Sequence, residues 1–168
     1  MPESNTKTYV PDTGENLYRR SLYTFWKRGS MPPTMETFDA TSRETVCTRR
    51  ARTNTPLQAF ITMNDPQWVE AARKLSEKVL STTASDDNKR LAALALTTLN
   101  RPLEEREAKA LEKSVQSFKN HFASDEVQAK ALLSVGESPY ASRLDPKELA
   151  AWTLVASEFL NLDEFLTK

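Results

Sequence analysis

After residue 56, apolar residues recur every three to four positions, the one-face pattern of amphipathic helices. After Asp65 the stripe runs Trp68, Ala72, Leu75, Val79, and after the Asp86-Asp87 pair it runs Leu91, Leu94, Ala95, Thr98, Leu99. Beyond Pro102 a longer stripe of Leu103, Glu107, Leu111, Val115, Phe118 and Phe122 predicts a long helix that Ser124 interrupts. A short helix is predicted over Asp125 to Ser134, closed by Gly136, and a last one carries Leu149, Trp152, Ala156, Phe159 and Leu160. Helix starts are marked chemically: Thr55-Pro56, Asp65-Pro66 and Asp145-Pro146 each place a capping oxygen before a proline, whose missing N–H is harmless at the first helical position. No period-two run bounded by turn residues competes in this region. The expected fold class is all-α, an irregular bundle of about six helices.

Residues 1–56 read differently. LYRRSLYTFWKR at 17–28 fits a helix through Tyr18, Leu22 and Phe25, and equally a strand through Leu22, Thr24 and Trp26. Periodicity does not arbitrate between them; helix is the preferred reading. From Gly29 to Thr55, Pro32-Pro33 and many Thr and Ser predict a long irregular Pro/Thr/Arg-rich segment. Loops of such length in a compact domain are usually functional, or else pack against something absent from the chain. The organisation expected is a single domain over 1–168, or the C-terminal part of a larger one, with an extended Arg-rich region at 1–56 and a helical bundle at 57–168.

Charge sharpens that division. Lys and Arg number 23 and Asp and Glu 23, so no long-range field draws the chain to a polyanion, and no nucleic-acid partner is expected. Residues 1–56 hold nine bases against six acids, and 57–168 hold 14 against 17. Seven of the nine bases in the first part are Arg, against five of 14 in the second. Arginine's planar fork suits recognition and ion-pair structure, whereas lysine is common on solvated faces. The longest apolar runs, such as Leu91 to Leu96, fall far short of the ~20 residues that span a bilayer. Residues 1–10 show no basic segment followed by an apolar stretch, so no secretory signal is expected there. One cysteine, Cys47, excludes an internal disulfide and a Cys-x-x-Cys-His haem attachment. With His121 as the single histidine and no Asp-x-Asp-x-Asp-Gly loop, no metal and no cofactor is expected in this chain.

The densest polar cluster is DATSRETVCTRRARTN at 39–54, where Arg43, Glu44, Cys47, Arg49, Arg50 and Arg52 crowd together. Its arginines suit a carboxylate, sulfate or phosphate held by bidentate hydrogen bonds, with Asp39 or Glu44 as candidate acid/base. They equally suit tying a long loop to the helical body, and that structural network of Arg43, Arg49, Arg50, Arg52, Asn54 and Gln58 is the preferred reading. On it, at least two of the four arginines should be substantially buried. Cys47 lacks a nearby imidazole and is expected to be a small buried thiol. Asn64 suits capping, Tyr18, Tyr23, Phe25 and Trp26 suit core packing better than a stacking platform, and His121 suits a helix surface near a C-terminus.

Several ordered motifs together resemble one family: LYRRSLYTFWKR at 17–28, the Pro-Pro and FDA within 32–40, RE..C..RR.RTNTPLQA at 43–59 and NDP..VEAA at 64–72. GESPY at 136–140 and ELAAWTLVASEFLNLDEFLTK at 148–168 fit its end. It is the planctomycete-specific domain of unknown function fifteen fifty-three, found at the C-terminal end of planctomycete-type cytochrome c proteins. The resemblance implies an accessory or interaction domain of an extracytoplasmic cytochrome c-type protein, periplasmic or cell-surface, with a link to polysaccharide metabolism. It implies haem only in an upstream cytochrome domain, upstream domains of the same parent as partners, and a carbohydrate or anionic ligand as a candidate. This chain is expected to hold the later portion of the family domain. The family carries no agreed catalytic residues, so the alternative, a carboxylate-dependent hydrolase or lyase acting on a charged glycan, rests on Asp39 and Glu44.

Overall fold

The computed structural model describes residues 10, 12–24, 26, 31–42, 45–83 and 85–167. Among them every regular element is helical: two 3-10 turns, Gly14–Tyr18 and Ser21–Tyr23, and eight α-helices, with no strand. The chain forms two compact units, Met1–Gln58 and Ala59–Lys168.

In the first unit the described part of the expected helix at 17–28 holds the two short turns instead, parted by extended backbone at Arg19 and Arg20, while residues 25, 27 and 28 lie outside the described residues. Helices gain most of their stability from a packed apolar face. Here Tyr18, Leu22 and Tyr23 are exposed, so nothing selects a continuous helix, and Tyr18 and Tyr23 are not core residues as expected. Trp26 is half-buried, while Phe25 lies outside the described residues. The Pro-Pro segment, expected to be irregular, opens a one-turn helix, α1, Pro33–Thr37, with Pro33 at its first turn where a missing N–H costs nothing.

Helix α2, Pro56–Asn64, begins at the first proline-marked start, and its first turn holds a reciprocal cap that the sequence reading did not single out. Thr55 N donates to Gln58 Oε1 at 2.9 Å and Gln58 N to Thr55 Oγ1 at 3.3 Å, the Thr-x-x-Gln form of the capping box.

In the second unit, acidic caps set the boundaries. Asp65 caps α3 (Pro66–Thr82), Asp86 caps α4 (Asp87–Thr98), and Glu104 with Glu107 form a capping box on α5 (Glu105–Ala123). Asp125 caps α6 (Glu126–Leu133) and Asp145 caps α7 (Pro146–Leu160), after which a one-turn α8 (Asp163–Thr167) follows. Helix α7 is the hub, with nine of its residues buried around its circumference. Ala150, Ala151 and Ala156 are fully buried, which lets neighbouring backbones come close. Its later half joins Ala72 and Val79 of α3, Leu91, Leu94 and Ala95 of α4 and Val115 of α5. Its first turns join Phe122, Ala129 and Leu133. Each fully buried Leu, Val or Phe contributes roughly 1.5–3 kcal/mol.

Candidate functional site

The first unit builds its polar cluster around the end of α1. A helix leaves its last carbonyls without internal partners, and this one closes with paired bonds, Ala40 N to Met35 O at 2.9 Å and Asp39 N to Glu36 O at 3.1 Å, the Schellman pattern. That pattern needs a left-handed residue, and Asp39 adopts it at φ 58° in the place glycine usually takes. Arg50 then donates from Nε to Asp39 O at 2.8 Å and from Nη2 to Phe38 O at 2.7 Å. Gln58 Nε2 donates to Thr37 O at 2.8 Å. Three successive carbonyls at the helix end are thereby satisfied from residues 50 and 58. The Asp39 carboxylate accepts Thr53 N and Thr53 Oγ1, each at 2.8 Å. The Thr53 backbone bond above all, then its hydroxyl and the nearby Arg50 charge, hold that carboxyl below the usual aspartate range.

Asp39, Arg50 and Gln58 are therefore brought together. Arg49, Arg52 and Asn54 are exposed on the same stretch, and Arg43 and Glu44 lie outside the described residues. The expectation of two buried arginines fails, because Arg49, Arg50 and Arg52 are all exposed. The physical reason is that helix-end carbonyls are accessible from the solvent side, so Arg50 anchors the loop without entering a core. Cys47, expected buried, is exposed as well, with Sγ donating to Arg49 O at 3.3 Å. His121 sits on the exposed side of the last turn of α5, as the pattern suggested.

The second unit holds three charge clusters that the sequence reading missed. On α3, Arg73 is 0% exposed and donates from Nη2 to Ser138 O at 2.6 Å, with Glu77 beside Nη1 at 3.4 Å. Glu77 Oε1 accepts Ala141 N at 3.0 Å, Glu70 accepts Glu137 N at 2.8 Å, and Lys74 donates to Pro139 O at 2.8 Å. Four side chains of one helix face thus hold the backbone of residues 137–141. Gly136 fits there because of its φ of 94° and because a Cβ would collide with the Glu70 carboxylate.

On the hub, the Trp152 ring lies under the Arg90 guanidinium at 5.6 Å and the Lys119 ammonium at 5.9 Å. Glu148 and Asp87 neutralise those cations at 2.6 and 2.7 Å. Arg101 forks onto both Glu107 and Glu164, each with a 2.7 Å contact. The fork, followed by the Glu104 N–H, pulls Glu107 down to about 2, while the Arg101 guanidinium is pushed further up by the same bonds. Glu158 moves the other way: burial raises it and a 3.1 Å bond from Ser114 partly opposes this. The signal for these clusters was a polar residue beside an apolar stripe, which a solvated face produces equally often.

Among the described residues no three His, Cys, Asp or Glu side chains gather as a metal site, and no helix is long and apolar enough to cross a membrane. Among the described residues, charged side chains either tie loop backbone to helix faces and helix ends or pair with charges on neighbouring elements. These features define an all-α protein built around structural polar clamps. It belongs to the PSD1 family, a protein of unknown function (DUF1553), whose model matches residues 1–115. No curated protein and no solved structure matches the chain.

Proposed function

We propose that this chain is a non-catalytic accessory domain that docks, through α2, onto another part of an extracytoplasmic cytochrome c-type protein with a role in polysaccharide metabolism. The observation that carries the docking reading is α2 itself, nine residues without a charge, whose Phe60 and Met63, both in the second unit, are 60 and 50% exposed. These positions follow one another at helical spacing and form a single apolar stripe. Apolar surface gathered in this way marks an interaction face more often than scattered exposure does. The cytochrome and polysaccharide parts draw on the motif resemblance alone. Covalent haem would sit on the partner, since a chain with one cysteine offers no Cys-x-x-Cys-His.

The geometry around Asp39 favours this reading over a carboxylate-dependent hydrolase or lyase on a charged glycan. A general acid must hold its proton near the working pH, whereas Asp39 is kept ionised and occupied by Thr53. Hydrophobic-dye fluorescence and solution mass test the docking face. The native chain should bind dye or self-associate, and Phe60→Ser should reduce both while leaving the melting temperature unchanged. A monomer that binds no dye overturns the proposal.

A further inference from the structure

The stretch after α7 reaches three separate parts of the helical unit. Thr62 Oγ1 of α2 lies 2.7 Å from Oδ1 of Asn161, at the C-terminal cap of α7, and 2.9 Å from Ala59 O of its own turn, so its one proton is shared between two acceptors, of which Asn161 is the nearer. Glu164 receives Arg101 Nε at 2.9 Å and Nη2 at 2.7 Å. Phe165 meets Trp68 of α3 edge-on, with ring centroids 6.4 Å apart and planes at 83°. Thr62 is 1% exposed. Among the described residues of Ala59–Lys168, its bond to Asn161 is the side-chain hydrogen bond that joins α2 to another helix. The first turn of α8 is built on the neighbouring residue, because Leu162 O accepts both Phe165 N at 3.0 Å and Leu166 N at 3.1 Å.

We propose that residues 161–167 form a clasp: seating of α8 on Arg101 and Trp68 sets Asn161 against Thr62, and so controls how firmly Ala59–Asn64 of α2 is held. Glu164 acts here as a positioning residue through Asn161 and does not touch α2. The consequence for binding rests on the docking role of α2, but the clasp itself does not. A five-residue helix is too short to persist alone, so α8 stays formed only while its Arg101 and Trp68 contacts last. Asn161 and Glu164 stand three residues apart across the Leu162 junction between α7 and α8, so the contacts they make should be coupled rather than independent.

Amide hydrogen exchange on the whole chain tests this. Glu164→Gln should speed exchange of the α2 amides at 60–64 by about fivefold, the factor a typical hydrogen bond is worth. The amides of α4 and α6 should not change. Thr62→Val should speed the same α2 amides and, because coupling is reciprocal, also those of Phe165 and Leu166, whereas Thr62→Ser should leave both at native rates. The Thr62→Val arm alone tests the proposal should Glu164→Gln fail to fold. The double variant should exchange no faster in α2 than the faster single variant. If Glu164→Gln loosens only 163–167, if Thr62→Val leaves Phe165 and Leu166 untouched, or if the two effects multiply, the clasp is overturned. Loss of the dye-binding prediction with exchange coupling intact would remove the docking role and leave the clasp standing.

Discussion

Asp39 combines a left-handed backbone with a carboxylate that receives two donors from one residue, Thr53. Outside glycine, that conformation is tolerated best by Asn and Asp. Three substitutions therefore separate the two contributions. Asp39→Asn keeps both the backbone tolerance and an acceptor oxygen, and should leave protection of the Thr53 amide close to native. Asp39→Gly keeps the turn and loses the acceptor, so the Thr53 amide should exchange rapidly while α1 persists. Asp39→Ala loses both and should melt lowest of the three, as read by thermal denaturation. If the Asn variant melts as low as Ala, neither the acceptor oxygen nor the backbone tolerance contributes and the charge alone matters. Arg50→Ala uncovers carbonyls that water can reach, so its effect should stay small, within about 0.5 kcal/mol, in keeping with its exposure.

At the scale of elements, the caps were legible because they are local. Asp65, Asp125 and Asp145 each accept an N–H two or three residues on, a bond requiring nothing beyond the neighbouring sequence. Even the end of α5 falls at Ser124, where the stripe was expected to break. What stayed hidden depends on distant partners. Thr55 with Gln58 was readable as a capping box, but the bond from Gln58 to Thr37 spans 21 positions. Arg73 sits among polar residues of α3 that look solvated in sequence, yet it is buried because residues 135–141 fold over it. That burial makes a definite prediction. Arg73→Ala removes the donor to Ser138 O and leaves Glu77 with less compensation, so urea unfolding should show a loss of about 3–5 kcal/mol. Lys109→Ala, which breaks an exposed pair with Glu105, should stay within about 0.5 kcal/mol. Equal effects at the two sites would mean that the clamp on 137–141 contributes no more than a surface ion pair.

Over the whole molecule these groups give stability an opposed dependence on acid. Glu107 is held at about 2 in the folded chain against an ordinary value of 4.5, chiefly by the Arg101 fork. A carboxyl lowered on folding binds fewer protons in the native state. Its contribution is complete above pH 4.5 and fades as pH falls toward about 2. Asp39 and Glu126 are lowered too and act in the same direction. Glu158 is raised by burial, so the sign reverses: its contribution is full below the ordinary value of 4.5 and is lost as pH rises through its folded value. At neutral pH Glu158 is therefore a half-buried charge that the native state disfavours. Glu158→Gln, which can still accept from Ser114, should be more stable than the native chain at pH 7, and that advantage should vanish below pH 4.5. Glu107→Gln should be less stable at pH 7 and should converge on the native chain as pH approaches 2. Chemical denaturation from pH 2 to pH 8 reads both, and the two difference curves must bend in opposite directions. A Glu158→Gln variant that is less stable than the native chain at pH 7 would show that the Ser114 bond outweighs the penalty of burial.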